Sequence, residues 1–345
     1  MTVTKQVSIL VEPRFGYADR DGLPHKPSFL ETLKELARVI TVVSYPIHSL
    51  TALNFVLQIS TLVVVLVFSL RFLSMSALVL TLPLIFLLGT IHNTIWYHRY
   101  CSHRAFEFAR PTYALLFLWT NPLAFIFREE VYAIPHRIHH QRTEKAGDPY
   151  GPHLGWLASC LAPELTQRIN PNLSKEQYDL IKQTLSHIGL RTHTYAQFKK
   201  TGSIESLPYY AGRTIFSQAV WSLFAYLAGG TAYLAAYYCS LFITTLLIRD
   251  FNWRGHGGNF RRQKKLGWEF DTKSYALNQR FYGYIASEWH DNHHSYPASA
   301  NNGFLTRQVD VAFQVIKFMH RLGIVRSYVD ASSKFKKERL HCSLV

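Results

Sequence analysis

"ALNFVLQISTLVVVLVFSLRFLSMSALVLTLPLIFLLGTIHNTIW", residues 52–96, carries a single formal charge, Arg71. About 20 apolar residues, each rising 1.5 Å, cross the hydrocarbon of a bilayer. The stretch therefore reads as two helices joined by a tight turn at Arg71–Ser76. A second block, Thr214–Ile248, has no formal charge and is interrupted at Gly229-Gly230. It is short for two spans, and we read it as a second hairpin. Charged residues make up 17% of the 345-residue chain, against about 25% in ordinary soluble proteins. The expected fold is an all-α integral membrane protein, with four transmembrane helices in two hairpins and a cytosolic helical domain. The expected division is an N-terminal cytosolic segment (1–50), hairpin 1 (51–96), a cytosolic region (97–213), hairpin 2 (214–249) and a cytosolic region (250–345).

Charge sets the orientation. The net charge is +15; Lys and Arg crowd the N-terminal segment, residues 97–213 and residues 249–345, while the two hairpin tips carry only Arg71. The positive-inside rule then puts both termini and the central region on the cytoplasmic side, in a bacterial inner membrane or the endoplasmic reticulum. The basic residues flank apolar spans and no nucleic-acid module surrounds them, so the expected partners are lipid headgroups or an anionic substrate rather than nucleic acid. The first fifty residues lack the short apolar run and small-residue site of a removable signal peptide. "PSFLETLKELARVI" instead holds a capping box, Ser28 with Glu31, ahead of Leu33, Leu36, Ala37 and Ile40 at helical spacing. It reads equally as a helix lying at the membrane interface or as an ordinary surface helix. Cys101, Cys160, Cys239 and Cys342 show no paired spacing, which fits a reducing face.

Histidine is the unusual feature. "WYHRYCSH" holds His98 and His103 directly after the second span; "HRIHH" holds His136, His139 and His140; "HDNHH" holds His290, His293 and His294. In the last two, the i, i+3, i+4 spacing puts three imidazoles on one helix face. Neutral imidazole is the commonest side-chain metal ligand, and eight are too many for one ion of ordinary coordination. Two ions would use them all. First-row metals accept imidazole-rich shells and can activate dioxygen at an open position, so iron is preferred. His92, inside the second span, and His153, His187, His193 and His320 read as polar bystanders. The stretch "SKEQYDLIKQTLSHIGL" reads as a soluble helix starting at the cap Ser174.

The three clusters, with Arg104 after the first, "DPYGPHLGW" after the second and "HHSYPASANNGF" through the third, resemble the histidine boxes of the membrane fatty-acid desaturases, in particular the acyl-CoA Δ9 (stearoyl-CoA) branch. The resemblance runs from about Ile91 to Val325. "NWRGH" matches an NxxxH element of that branch, which implies His256 as a ninth ligand and Asn252 as the holder of a metal-bound water. Ser287 and Asp291 depart from residues common there. The resemblance implies an oxygen-dependent desaturase that places a cis double bond, at Δ9, in a saturated acyl thioester. It implies two Fe2+ ions, with zinc loading in overexpressed material, and O2 as co-substrate. With no haem signature or dinucleotide fingerprint, electrons must come from a separate donor, cytochrome b5 or ferredoxin with a reductase. The substrate is expected on CoA or acyl-carrier protein, its anionic head meeting Arg261, Arg262, Lys264 and Lys265; a lipid-headgroup anchor is an equal reading of those four. The alternatives are a di-iron hydroxylase or terminal alkene- or alkyne-forming enzyme, a membrane zinc hydrolase, and a non-enzymatic metal-binding membrane protein.

Overall fold

The computed structural model describes residues 8–72, 74–258 and 289–340. In chain order the α-helices among the described residues are α1 (Phe29–Thr41), α2 (Pro46–Phe72), α3 (Met75–Leu87), α4 (Pro111–Thr120), α5 (Glu129–Arg142), α6 (Gly155–Cys160), α7 (Ala162–Leu165), α8 (Lys175–Leu185), α9 (Tyr195–Thr201), α10 (Leu207–Arg254), α11 (His290–Ser295), α12 (Val311–Arg321) and α13 (Ser332–Phe335). The expected all-α class needs one amendment. Strands β1 (Phe106–Phe108) and β2 (Val325–Tyr328) pair antiparallel, because Phe106 and Phe108 alternate inward and bury against the core that also holds Val325.

Among the described residues, three helices are long and apolar enough to cross a membrane: Pro46–Phe68, Met75–Ser102 and Leu207–Arg254. The helix pair α2–α3 turns where the charge and polarity of Arg71–Ser76 interrupt the apolar run, and Ser74 caps α3 by accepting from the Ala77 amide. The third is continuous only nominally. Gly229 (φ −171°, ψ 29°) and Gly230 (φ 64°, ψ −150°) leave helical geometry, and the chain folds back on itself there. Trp221 stacks on Tyr237, the Tyr237 hydroxyl donates to Gln218 at 3.1 Å, and Ser222 and Tyr238 share a hydrogen bond of 2.8 Å. Residues so far apart in a straight helix could not touch. Gly230 occupies a positive φ that side chains avoid, and a Cβ on Gly229 would strike the Tyr233 ring. The apparent shortness of this block came from its ends. Both arms, 207–228 and 231–254, run past the apolar limits into polar sequence and exceed the roughly 20 residues a span needs.

α1 begins with the capping box, Ser28 accepting from the Glu31 amide and donating its own amide to Glu31. It buries Thr32, Glu35 and Val39 and leaves Phe29, Leu30 and Leu33 exposed. A helix that hides its polar side and shows its apolar one suits an interface with lipid better than one with water. α8 starts at Ser174 with a second capping box and packs Tyr178, Ile181 and Leu185 inward.

Candidate metal centre

The second apolar helix does not end at the membrane. Past Leu87 it widens into a π-type winding from Leu88 to Ser102, almost wholly buried. The winding matters for His98 and His103. Five residues on an α-helix turn through roughly 140° beyond a full circle, which would aim the two rings apart. Here the His103 amide donates to the His98 carbonyl at 3.2 Å, an i+5 bond, and the two residues sit one wide turn apart. Both rings therefore face the same centre.

α5 delivers His136, His139 and His140, and α11 delivers His290, His293 and His294. Each one-face triplet divides between two centres. The coordinating nitrogens of His98, His103, His136, His140 and His293 lie within 4.8 Å of one another, and so do those of His139, His256 and His294. His290 joins the second group, its Nε2 being 3.1 Å from that of His256 and 3.2 Å from that of His294. α5 thus gives two rings to the first group and one to the second, and α11 the reverse.

Within the first group the Nε2–Nε2 separations are 2.9 Å (His98–His293), 2.8 Å (His103–His136), 3.1 Å (His136–His140) and 2.9 Å (His140–His293). Nitrogens each about 2.0–2.1 Å from one ion and at right angles about it stand roughly 3 Å apart. The spacing fits a metal. Burial holds the rings neutral, the form that binds one: it pushes His103 down to about 3 and His136, His140, His290, His293 and His294 well below the ordinary imidazole range, with neighbouring cations and imidazoles adding to the effect.

Residues behind the rings fix which nitrogen carries the proton. Asp148 accepts from His139 Nδ1 at 2.8 Å, so the proton sits there, and the buried Nε2 of His139 has no hydrogen-bond partner in the protein. Asp148 is itself held by the amides of Glu144 (2.7 Å) and Tyr150 (3.1 Å). Glu144 lies 3.6 Å from His256 Nδ1, and the Tyr150 hydroxyl meets His136 Nδ1. A ligand ring backed by a carboxylate is both aimed and made more basic. On the other side Arg99, next to His98, makes a two-pronged pair at 2.9 Å with Asp310, which also accepts the Asn302 and Phe313 amides and so ties the loop after α11 to the first histidine segment. Among the described residues, the three non-glycines at positive φ are Arg104, Glu144 and Trp289. All three flank the histidines, where the surrounding contacts hold the strain.

Asn252 stands one turn before His256 near the end of α10, and with Tyr132, Tyr150, His98, His256 and His290 it lines a cavity of about 20 Å3. That is room for one small occupant such as water or dioxygen. The bystanders stay outside both groups. His92 lies edge-on to Trp221, His193 bonds the Ser203 carbonyl and His320 the Val325 carbonyl. His187, two residues past α8, has a firmer role than a bystander's, because its Nε2 bonds the Tyr100 carbonyl at 2.9 Å while the Tyr100 hydroxyl donates to the His187 carbonyl at 2.7 Å. Arg261, Arg262, Lys264 and Lys265 fall outside the described residues, as does Ser287. Sequence reasoning gave no role to Asp148, Glu144 or Asp310. The one available signal was an acid eight residues beyond His140.

Residues 74–304 match the family model for fatty acid desaturase. The chain is 26% identical to Acyl-CoA 5-desaturase AL21 of Anemone leveillei, over 77% of this chain and 75% of that protein. It is 24% identical to the sn-2 palmitoyl-lipid 9-desaturase of a Nostoc species, over 75% and 84%, and 22% identical to Delta-9 acyl-lipid desaturase 1 of Arabidopsis thaliana, over 74% and 76%. A centre of buried neutral imidazoles beside membrane-length helices, matched by that family over most of its length, has one consistent identification: the chain belongs to the fatty acid desaturase family, oxidoreductases of lipid metabolism.

Proposed function

We propose that this protein is an oxygen-dependent desaturase that introduces a cis double bond, at Δ9, into a saturated fatty acyl chain at a di-iron centre. The observation that carries the reading is the division of nine imidazoles into groups of five and four, with nitrogens spaced as ligands. When bound, two iron ions would supply the activation of dioxygen and the removal of hydrogen from an unactivated methylene, which no side chain can perform.

The chain's own residues do the rest. His98, His103, His136, His140 and His293 would hold one ion, and His139, His256, His290 and His294 the other. Asp148 keeps the proton on His139 Nδ1 and leaves Nε2 bare toward the centre. Asn252 would hold a water at the four-imidazole side, where the cavity has space for it. The tight lining by Tyr132, Tyr150 and Phe251 keeps bulk water away. Arg261, Arg262, Lys264 and Lys265 would meet the anionic end of the substrate.

In this reading α2, α3 with its wide extension, and the two arms of α10 are the four crossings. Both termini and the three histidine clusters lie on the cytoplasmic side. The relatives named for acyl-CoA and for acyl-lipid substrates leave both carriers to be assayed, and the electron donor would be a separate protein. The test is a reconstituted reaction. A saturated C16 or C18 acyl-CoA, or the corresponding phospholipid, is supplied with a donor system and oxygen, and the fatty acids are analysed. A cis alkene is expected. An alcohol or a terminal alkene would keep the centre and overturn the desaturase assignment.

A further inference from the structure

A basic cleft opens at the surface beside the first histidine segment. Of the nine histidines in the two groups, His103, His140 and His294 keep some exposed surface and the others are buried. His103 is followed directly by Arg104, which turns the chain out of the π winding at φ 50° and leaves its side chain 57% exposed. Arg104, Arg110 and Arg326 stand around an open cleft of about 380 Å3, whose apolar lining includes Tyr100, Phe108 and Leu115. Tyr100 lies between His98 and His103 on the same wide helix, so the cleft and the first group are built on one segment.

The charge of this surface is one-sided. Glu107 is the one carboxylate in the cleft lining, and it is already divided between Arg104 at 3.5 Å and Arg326. Arg110, exposed at the start of α4, has no ion pair among the described residues. α4 begins there without a side-chain hydrogen bond at its cap, so the positive end of the helix dipole adds to the arginines. Arg137, exposed on the outer side of α5, has no ion pair among the described residues either, and it lies near enough to His103 and His187 to act on both. Four accessible guanidinium groups thus gather on this side of the centre against one carboxylate. A second open cleft, of about 560 Å3, lies between the N-terminal segment and α5, with Gly147, the neighbour of Asp148, in its wall. Its charged lining is one residue of each sign, Glu12 and Arg142, and they balance.

The desaturase reading, on which this inference rests, needs electrons from a separate protein. We propose that this carrier, a small one-electron protein with an acidic face, docks on the basic cleft and delivers its electron to the first group through His103. Carboxylates of the carrier supply the partners that Arg104, Arg110, Arg137 and Arg326 lack, around an apolar centre at Phe108 and Leu115; a charged rim about an apolar middle is the usual anatomy of a protein interface. One peptide bond joins Arg104 to His103, so a carrier seated on the arginines stands against a ligand of the centre. Each encounter oxidises one carrier and reduces the centre by one electron. Two encounters, two protons from water and the two hydrogens taken from the acyl chain together reduce one O2 to two waters. A carrier that must leave after each electron needs fast association more than tight binding, which is what unpaired surface charge provides.

The full chain, iron-loaded, oxidised and held in phosphatidylcholine nanodiscs, is mixed without oxygen with two reduced acidic carriers in turn, the soluble haem domain of a cytochrome b5 and a plant-type ferredoxin. Carrier oxidation is followed by stopped-flow absorbance. With at least one carrier the second-order rate constant should fall steeply as salt is added. Arg110→Glu, which breaks no ion pair and puts an acid favourably at a helix start, should lower it about tenfold or more at low salt, and so should Arg326→Glu. Arg142→Glu makes the same change in net charge at the other cleft and should stay within about twofold of wild type. The same order is expected for binding of the oxidised carrier to the metal-free chain, and dithionite should reduce the loaded centre equally in every variant. Wild-type rates in both Arg110→Glu and Arg326→Glu, an equal loss in Arg142→Glu, or no oxidation of either carrier by a centre that dithionite reduces would each overturn the docking site. A loaded centre that dithionite cannot reduce would remove the desaturase reading and this proposal with it.

Discussion

The five-imidazole and four-imidazole groups are built from the same two HxxHH helices, yet they differ in what stands behind the rings. The first group takes His98 and His103 from a π-wound helix and is closed by aromatic and hydroxyl neighbours, Tyr132 and Tyr150. The second is one nitrogen poorer, faces Asn252, and leans on two carboxylates, Asp148 behind His139 and Glu144 near His256. A centre with fewer ligands and more basic ones has a position to spare. On the proposed reading, the ion with a bound water would be the one on the four-imidazole side.

The sharpest way to break the comparison is His256→Ala. It removes one of only four imidazoles from the poorer group, and desaturation should fall below detection while the protein still inserts and folds; full activity would remove His256 from the centre. Asp148→Asn is expected to cost about 10–100-fold in activity or in retention of the second metal, because the amide no longer fixes the His139 proton. Asn252→Ala should fall toward the milder end of that range, since it loosens a water rather than a ring. Titrating the first group in metal-free protein gives a smaller, graded effect. Its imidazoles have folded values far below the unfolded value of about 6.5, so between those limits the unfolded chain binds more protons. Stability is full above about pH 6.5 and falls as pH drops toward 3, by at most about 1.4 kcal/mol per pH unit for each imidazole, in thermal unfolding followed by circular dichroism. Bound metal keeps the folded rings unprotonated, so it should raise stability without flattening the slope and carry the pH dependence to lower pH. Smallest is His187→Ala, expected to cost about 1 kcal/mol through its bond to Tyr100 and to leave the metal count unchanged.

Much of this was legible in the sequence, for identifiable reasons. Apolar run length reports helix length, so the interruptions at Arg71–Ser76 and Gly229-Gly230 are legible in the sequence. The histidine clusters were legible as metal-binding because their spacing is local. The partition was not. An α-helical reading puts His136, His139 and His140 on one face, and only the meeting of α5 with α11 divides the rings of that face between two groups. The π winding that aligns His98 with His103 leaves no mark in periodicity, and Asp148, Glu144 and Asp310 act through contacts across long stretches of chain. His256 is a lone histidine past the end of an apolar helix, recognisable by resemblance and not by composition.

The central claim, two groups and two ions, is tested most directly by metal content. Protein produced with ample iron and extracted in mild detergent should carry about two iron or two zinc ions per chain by elemental analysis, with His256→Ala dropping toward one. A wild-type chain that is active with a single ion would contradict the account.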